Sequence, residues 1–128
     1  MKKKIVPRTR DEVYHLWLDA LRSGKYKQTQ GLLCEMSPFD ADGKRSPVSF
    51  CCLGVLADLA VKDGGPAWNS YHGPQEDGTT PPVKISHFMG FDNEIINELI
   101  EMNDDRDATF DEIADVIETV IMPALGVK

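Results

Sequence analysis

Two capping boxes constrain the fold of this 128-residue chain more than any other feature. Thr9-Arg10-Asp11-Glu12 and Thr109-Phe110-Asp111-Glu112 each place a glutamate three residues after a threonine, a pairing that satisfies free backbone N–H groups where a helix begins. Apolar residues recur at helical spacing after both boxes. They are Val13, Leu16, Trp17, Ala20 and Leu21 after the first, and Ile113, Ala114, Ile117, Val120 and Ile121 after the second. The chain therefore has an amphipathic helix towards each end.

Three further helices are predicted between these two. Ser49 can cap an apolar helix near residues 50–62, which Gly64-Gly65-Pro66 ends. Because proline is tolerated in a first turn, Thr80-Pro81-Pro82 predicts a short helix that Gly90 ends. Asp92 can cap a third helix, and residues 103–108 are then expected to form an acidic loop.

The segment after the first helix lacks helical periodicity. Gly24 ends that helix, residues 25–35 are expected to be extended, and Asp42-Gly43 indicates a hairpin turn. We therefore predict an α+β, helix-dominated single domain over residues 1–128, with four to five helices and a small β-hairpin after the first. Residues 1–8 are expected to form a flexible basic N-terminus and residues 63–80 an irregular excursion.

Composition and charge argue against several classes of protein. The net charge of −7 is uneven, because residues 1–30 carry eight Lys/Arg against three Asp/Glu and residues 71–128 carry three against thirteen. Nucleic acid needs cations throughout the contacted surface, so the acidic half argues against direct nucleic-acid binding. No apolar run approaches the ~20 residues that span a bilayer, and the basic start lacks the apolar stretch of a secretory signal. These features predict a cytoplasmic protein with reduced cysteines.

Cys51 and Cys52 are the candidates for thiol chemistry, which needs a lowered pKa and a nearby base. Adjacent residues on a helix diverge by ~100°, so both sulfurs cannot face one site, and reduced cysteine is usually buried. We interpret the pair as core residues and favour a non-enzymatic protein, with a Cys-dependent enzyme as the weakest alternative. The cysteine and histidine spacing predicts no metal site, and no cofactor motif is present.

Arg22, Tyr26, Gln28 and Gln30 form the first candidate site. If residues 25–30 are extended, Tyr26, Gln28 and Gln30 point to one side of the chain and the lysines to the other. A ring beside two amides suits a planar polar ligand, and the guanidinium of Arg22 can bind a phosphate. The alternative is an edge strand whose lysines deter strand-to-strand association.

Glu94, Glu98, Glu101 and Asp115 form the second candidate site. Acidic residues between positions 92 and 118 recur at i, i+3 and i+4, which places them on exposed helix faces. Such a surface can contact a basic partner protein by imitating the charge of nucleic acid. The alternative is a solvated surface without a partner.

Several blocks of residues carry a resemblance to a known family. They are Trp17, Ala20-Leu21-Arg22-Ser23-Gly24, Tyr26, Gln28 and Gly31-Leu32; Phe50 to Leu56 with Asp58-Leu59; Pro81-Pro82; Asn103-Asp104; and Thr109-Phe110 to Glu118. On these residues the chain resembles an uncharacterised family of small proteins from tailed phages and prophages. The resemblance implies a phage-encoded protein in the host-cell cytosol, and it implies no activity.

Small phage proteins without enzyme motifs resemble host-takeover or counter-defence factors. We therefore expect a non-enzymatic protein that binds a host protein through an acidic surface. The alternative is a sponge that sequesters a small nucleotide signal through the segment from Arg22 to Gln30. The sequence also leaves homo-oligomer formation open.

Overall fold

The computed structural model describes residues 9–31, 34–44, 46–63 and 83–128. Its helices are α1 (Arg10–Arg22), α2 (Cys52–Asp63), α3 (Val83–Met89), α4 (Asn93–Asp104), α5 (Phe110–Val116) and α6 (Met122–Leu125), and a π-helical turn at Ile117–Ile121 joins α5 to α6. Strands β1 (Cys34–Met36) and β2 (Pro47–Phe50) pair antiparallel after α1. The predicted helix-dominated α+β domain with a small hairpin is confirmed. The predicted flexible N-terminus, residues 1–8, and residues 64–80 of the predicted irregular excursion lie outside the described residues.

Helix α1 packs against α2, α3 and α5. Its predicted capping box is confirmed, since Thr9 Oγ1 accepts from the Glu12 backbone N–H at 3.2 Å. The buried face is rotated from the predicted one, because Tyr14 is fully buried whereas Leu16 is half-buried. Tyr14 can enter the core because its hydroxyl donates to the Met89 carbonyl at 2.7 Å, which satisfies the one polar group of the side chain.

Helix α2 begins three residues after the predicted cap. Ser49 is a buried residue of β2, so the prediction that it caps this helix is wrong. Cys51 precedes the helix instead, and its Sγ accepts from the Gly54 backbone N–H at 3.3 Å. The Trp17 indole donates to the Cys52 carbonyl at 2.9 Å, which ties α1 to the start of α2.

The C-terminal helical segment consists of α5, the π-helical turn and α6. It begins with the predicted capping box, which is confirmed at Thr109. Pro123 lacks a backbone N–H, and the helix continues past it through a π-helical register in which Met122 N donates to Ile117 O. Arg10 Nη2 then donates to the Leu125 carbonyl at 3.0 Å and fastens the end of the chain to α1. In the part of the chain that the structure describes, no helix is long and apolar enough to cross a membrane.

Candidate functional site

The ribbon, residues 25–31, runs alongside the end of β2 and pairs with it at Phe50. Phe50 N donates to Lys27 O and Thr29 N donates to Phe50 O, both at 2.8 Å, and Gln28 forms a parallel bridge with Phe50. Gly24, with a φ of 75°, turns the chain out of α1, a conformation that glycine adopts without strain. The extended conformation predicted for this segment is confirmed at these residues.

Asn103 is completely buried at the end of α4 and anchors the ribbon. Its Oδ1 accepts from Gln28 Nε2 at 2.9 Å and from Cys52 N at 3.2 Å. Its Nδ2 donates to Thr29 O at 2.7 Å and to Asp104 Oδ1 at 2.9 Å. The amide thus uses both donors and both acceptor positions. The predicted acidic loop is wrong at its first two positions, because α4 runs to Asp104 and Asn103 points inward.

Tyr26 makes two contacts with buried residues, a ring contact with Phe50 and a hydrogen bond to Asp58. The hydroxyl donates to Asp58 Oδ2 at 2.6 Å, and the ring meets Phe50 edge-to-face with centroids 5.1 Å apart. Asp58 is only 5% exposed, so its carboxylate needs donors of this kind. Burial, followed by the hydrogen bond to Asp58, raises the pKa of Tyr26 well above its ordinary value. Tyr26 is therefore a neutral donor at physiological pH.

The four residues of the predicted ligand site are not brought together as one surface. Arg22 donates to two carboxylates of the C-terminal helical segment, at 2.8 and 3.0 Å. Gln28 is directed to Asn103 and also donates to the Ala108 carbonyl at 2.8 Å. Gln30 is exposed, and Tyr26 alone of the four lines a described groove.

This groove, the Tyr26 groove, has a volume of about 500 Å³. Its wall combines two exposed lysines, an apolar strip from β2 and a buried carboxylate from α2. The lining residues are Lys25, Tyr26, Lys27, Pro47, Val48, Phe50 and Asp58. The groove therefore presents cations, apolar surface and an acceptor within one small concavity.

The acidic surface comprises the carboxylates of residues 92–118. This range contains eleven Asp/Glu and one basic residue, Arg106. None of the eleven is buried. Among the predicted residues, Glu98 and Glu101 lie 2.8 and 3.5 Å from Arg106, Asp115 lies 2.8 Å from Arg22, and Glu94 is exposed. Arg106 thus brings Glu98 and Glu101 together, whereas Asp115 is paired with the end of α1.

The three cysteines are free and buried, and the predicted core position of Cys51 and Cys52 is confirmed. Burial raises the pKa of Cys51 to about 11 and raises the pKa of Cys52 well above its ordinary value. Both are thus thiols rather than thiolates at neutral pH, which disfavours nucleophilic use. In the described ranges, no group of three His, Cys, Asp or Glu side chains is placed to hold a metal ion.

Asp58, Asn103 and Phe50 are the site residues that sequence reasoning missed. Asp58 carried a detectable signal, because a charged residue inside the apolar run from Leu53 to Ala60 needs an internal partner. Asn103 directly follows the buried Met102 and gave no such signal among its acidic neighbours. The sequence pattern places Phe50 in a helix, whereas it ends β2 between Cys34 and the ribbon.

These features define a small helix-dominated α+β domain that has a buried polar anchor, a short groove and an acidic surface. The chain belongs to the family described as domain of unknown function DUF8296, whose match covers residues 9–92. That range includes every residue of the Tyr26 groove, and it ends at Asp92, where the acidic surface begins. Neither the curated proteins nor the solved structures give a significant match.

Proposed function

We propose that this chain is a phage-encoded, non-enzymatic protein that binds a basic surface of a host protein in the host-cell cytosol. The observation that carries the proposal is the acidic surface, with eleven Asp/Glu against one Arg in residues 92–118 and no carboxylate buried. Complementary charge steers association and disfavours acidic partners. The phage origin and the host-takeover or counter-defence role are supported by the sequence resemblance.

The helices that carry the acidic surface are anchored by buried core residues and by their N-terminal caps. Leu99 of α4 and Ile113 of α5 are fully buried. Asp92 caps α4 by accepting from Ile95 N at 2.8 Å, and the capping box at Thr109 begins α5. A partner would therefore meet carboxylates on an ordered scaffold, and little ordering entropy would oppose binding.

Sequestration of a nucleotide signal by Arg22, Tyr26, Gln28 and Gln30 acting together is the less favoured function. Arg22 and Gln28 already donate to groups of the same chain, so a ligand would have to compete with those hydrogen bonds. The carboxylates of the acidic surface need no such rearrangement.

The test is recovery of a host protein from a bacterial lysate on the tagged chain. We expect the triple variant Glu94→Lys, Glu98→Lys, Asp115→Lys to weaken binding of the recovered protein about tenfold or more. The reason is that reversed charges would repel a basic partner and slow its association. Duplex DNA should compete if the partner surface is one that binds nucleic acid. Circular dichroism would establish that the variant folds.

The matched control reverses three exposed acids elsewhere, as Asp19→Lys, Glu35→Lys, Asp42→Lys. It changes the net charge by the same amount and should retain binding. Equal loss in both triple variants would mean that overall charge, rather than this surface, controls recovery. Unchanged binding in the first variant would refute the proposed function.

A further inference from the structure

The C-terminal helical segment exposes an apolar side chain that the sequence pattern places in the core. Val120 belongs to the apolar series after the second capping box, yet it is 59% exposed. The π-helical turn at Ile117–Ile121 accounts for this, because its wider turn holds an additional residue, so that Ile121 and Met122 are buried in its place. An exposed valine in a helix gains neither burial nor helix propensity. The fold alone therefore gives no reason for valine at this position.

Val120 forms an exposed apolar stripe with two further residues. This Val120 stripe consists of Val116, Val120 and Ala124, which follow one another at intervals of four residues. Residues four apart lie on successive turns of one helix face, and the wider π-helical turn keeps them close to one line. Val116 is half-buried and Ala124 is exposed, as is the adjoining Pro123. The stripe thus offers apolar contact along three successive turns of the segment.

Exposed carboxylates border the Val120 stripe. Glu112 lies one turn before Val116, and Asp115 and Glu118 lie within the same turns as the stripe. Arg22 pairs with Asp115 and Glu118, so three carboxylates against one guanidinium leave this border negative. Apolar surface with a charged border has the composition of an interface core and its rim. A complementary partner therefore carries apolar residues in one line, with cations beside them.

From this arrangement we propose that the Val120 stripe binds a basic amphipathic helix of the partner, with its apolar residues on the stripe and its Lys or Arg beside the carboxylates. The inference rests on the proposed function, and it names the element of the basic host surface that makes the contact. A helix fits because apolar residues at i and i+4 form a ridge of the same spacing, and helices pack ridge against groove. A second copy of this chain is disfavoured, because face-to-face pairing would bring the carboxylates of both copies together.

Fluorescence anisotropy of two labelled synthetic peptides, titrated with the full chain, tests the stripe. Both peptides contain the same Leu, Lys and Ala residues, but the first places its leucines on one helix face and the second distributes them around the helix. We expect the full chain to bind the first peptide about tenfold or more tightly, because only this peptide presents its apolar residues in one line. Val120→Gln should weaken that binding about fivefold, the loss expected when part of a valine side chain no longer becomes buried.

Two controls separate apolar contact from charge. Val120→Gln keeps every charge, so it should change binding of the second peptide less than about twofold. Val48→Gln replaces a valine that is 47% exposed on β2, outside the stripe, and it should leave both affinities unchanged. Circular dichroism establishes that both variants fold.

Equal affinity for the two peptides, or unchanged binding of the first peptide by Val120→Gln, would overturn this inference. A dimer of the chain that Val120→Gln dissociates, measured by sedimentation equilibrium, would also overturn it, because a second copy would then cover the stripe. The peptide results leave the proposed function untouched, since that function fails only if the charge-reversed acidic surface keeps the host protein. The two proposals can therefore fail separately.

Discussion

The ribbon and the acidic surface use polar side chains in opposite ways. Gln28 and Asn103 direct their amides inward, where four hydrogen bonds fill one buried amide and join the ribbon, α2 and α4. Glu98 and Glu101 lie on the outside and share one arginine at the surface. Hydrogen bonds of the first kind are costly to break and hold the fold, whereas ion pairs of the second kind are screened by water and contribute little to stability. Substitutions should therefore affect stability in one region and binding in the other.

Asn103→Ala should give the largest loss of stability. It removes four hydrogen bonds and leaves the buried Cys52 N without its acceptor, while Gln28 Nε2 keeps the Ala108 carbonyl alone. With ~1–3 kcal/mol for each unsatisfied buried group, we expect the free energy of unfolding to fall by about 3 kcal/mol or more. Urea unfolding followed by circular dichroism measures this change.

Asn97→Ala is the matched control on the same helix, since Asn97 is exposed. It should change stability by less than about 0.5 kcal/mol. If the two alanine variants were equally stable, the buried amide would not hold the ribbon, and the contrast between the two regions would be lost.

Tyr26→Phe should give an intermediate loss. It removes the donor of the 2.6 Å hydrogen bond to the buried Asp58 carboxylate while keeping the ring on Phe50. Hydrogen bonds to charged groups contribute about 1.5–3 kcal/mol, so we expect a loss of about 2 kcal/mol in urea unfolding. Tyr14→Phe, which removes a neutral bond to the Met89 carbonyl, should cost about 1 kcal/mol. The opposite order would mean that Asp58 does not depend on Tyr26.

The same tyrosine gives a pH dependence with a defined sign. The pKa of Tyr26 is raised in the folded chain, first by burial and then by Asp58, from an ordinary value of 10.0. Its contribution to stability is therefore complete below pH 10 and is lost as the pH rises above it, where the unfolded chain ionises. Urea unfolding from pH 8 to pH 11 should show this decline, and Tyr26→Phe should show a smaller one.

A structural feature can be predicted from the sequence when the residues that form it lie close together in the chain. The capping boxes at Thr9 and Thr109, and the cap at Asp92, were correctly predicted because they act within one helical turn. The Asn103 anchor was missed because its partners lie up to 75 residues away in sequence. The ribbon was correctly predicted to be extended, but periodicity alone could not show that Arg22 and Gln28 are bound within the chain.

Arg22→Gln tests the ion pairs that join the end of α1 to the acidic surface. Arg22 ends α1, and its guanidinium donates to Asp115 and Glu118 at 2.8 and 3.0 Å, with the arginine side chain 34% and Asp115 72% exposed. Exposed pairs of this kind contribute little, so we expect a loss of at most about 1 kcal/mol, smaller still in high salt. The substitution also frees two carboxylates, so binding of a basic partner should become tighter while stability falls.

Arg106→Gln frees Glu98 and Glu101 in the same way. Because Arg106 joins no distant element, this substitution should strengthen binding with no measurable effect on unfolding. If either substitution weakened partner binding, the arginines would belong to the contact itself, and the acidic surface would not act through its negative charge alone.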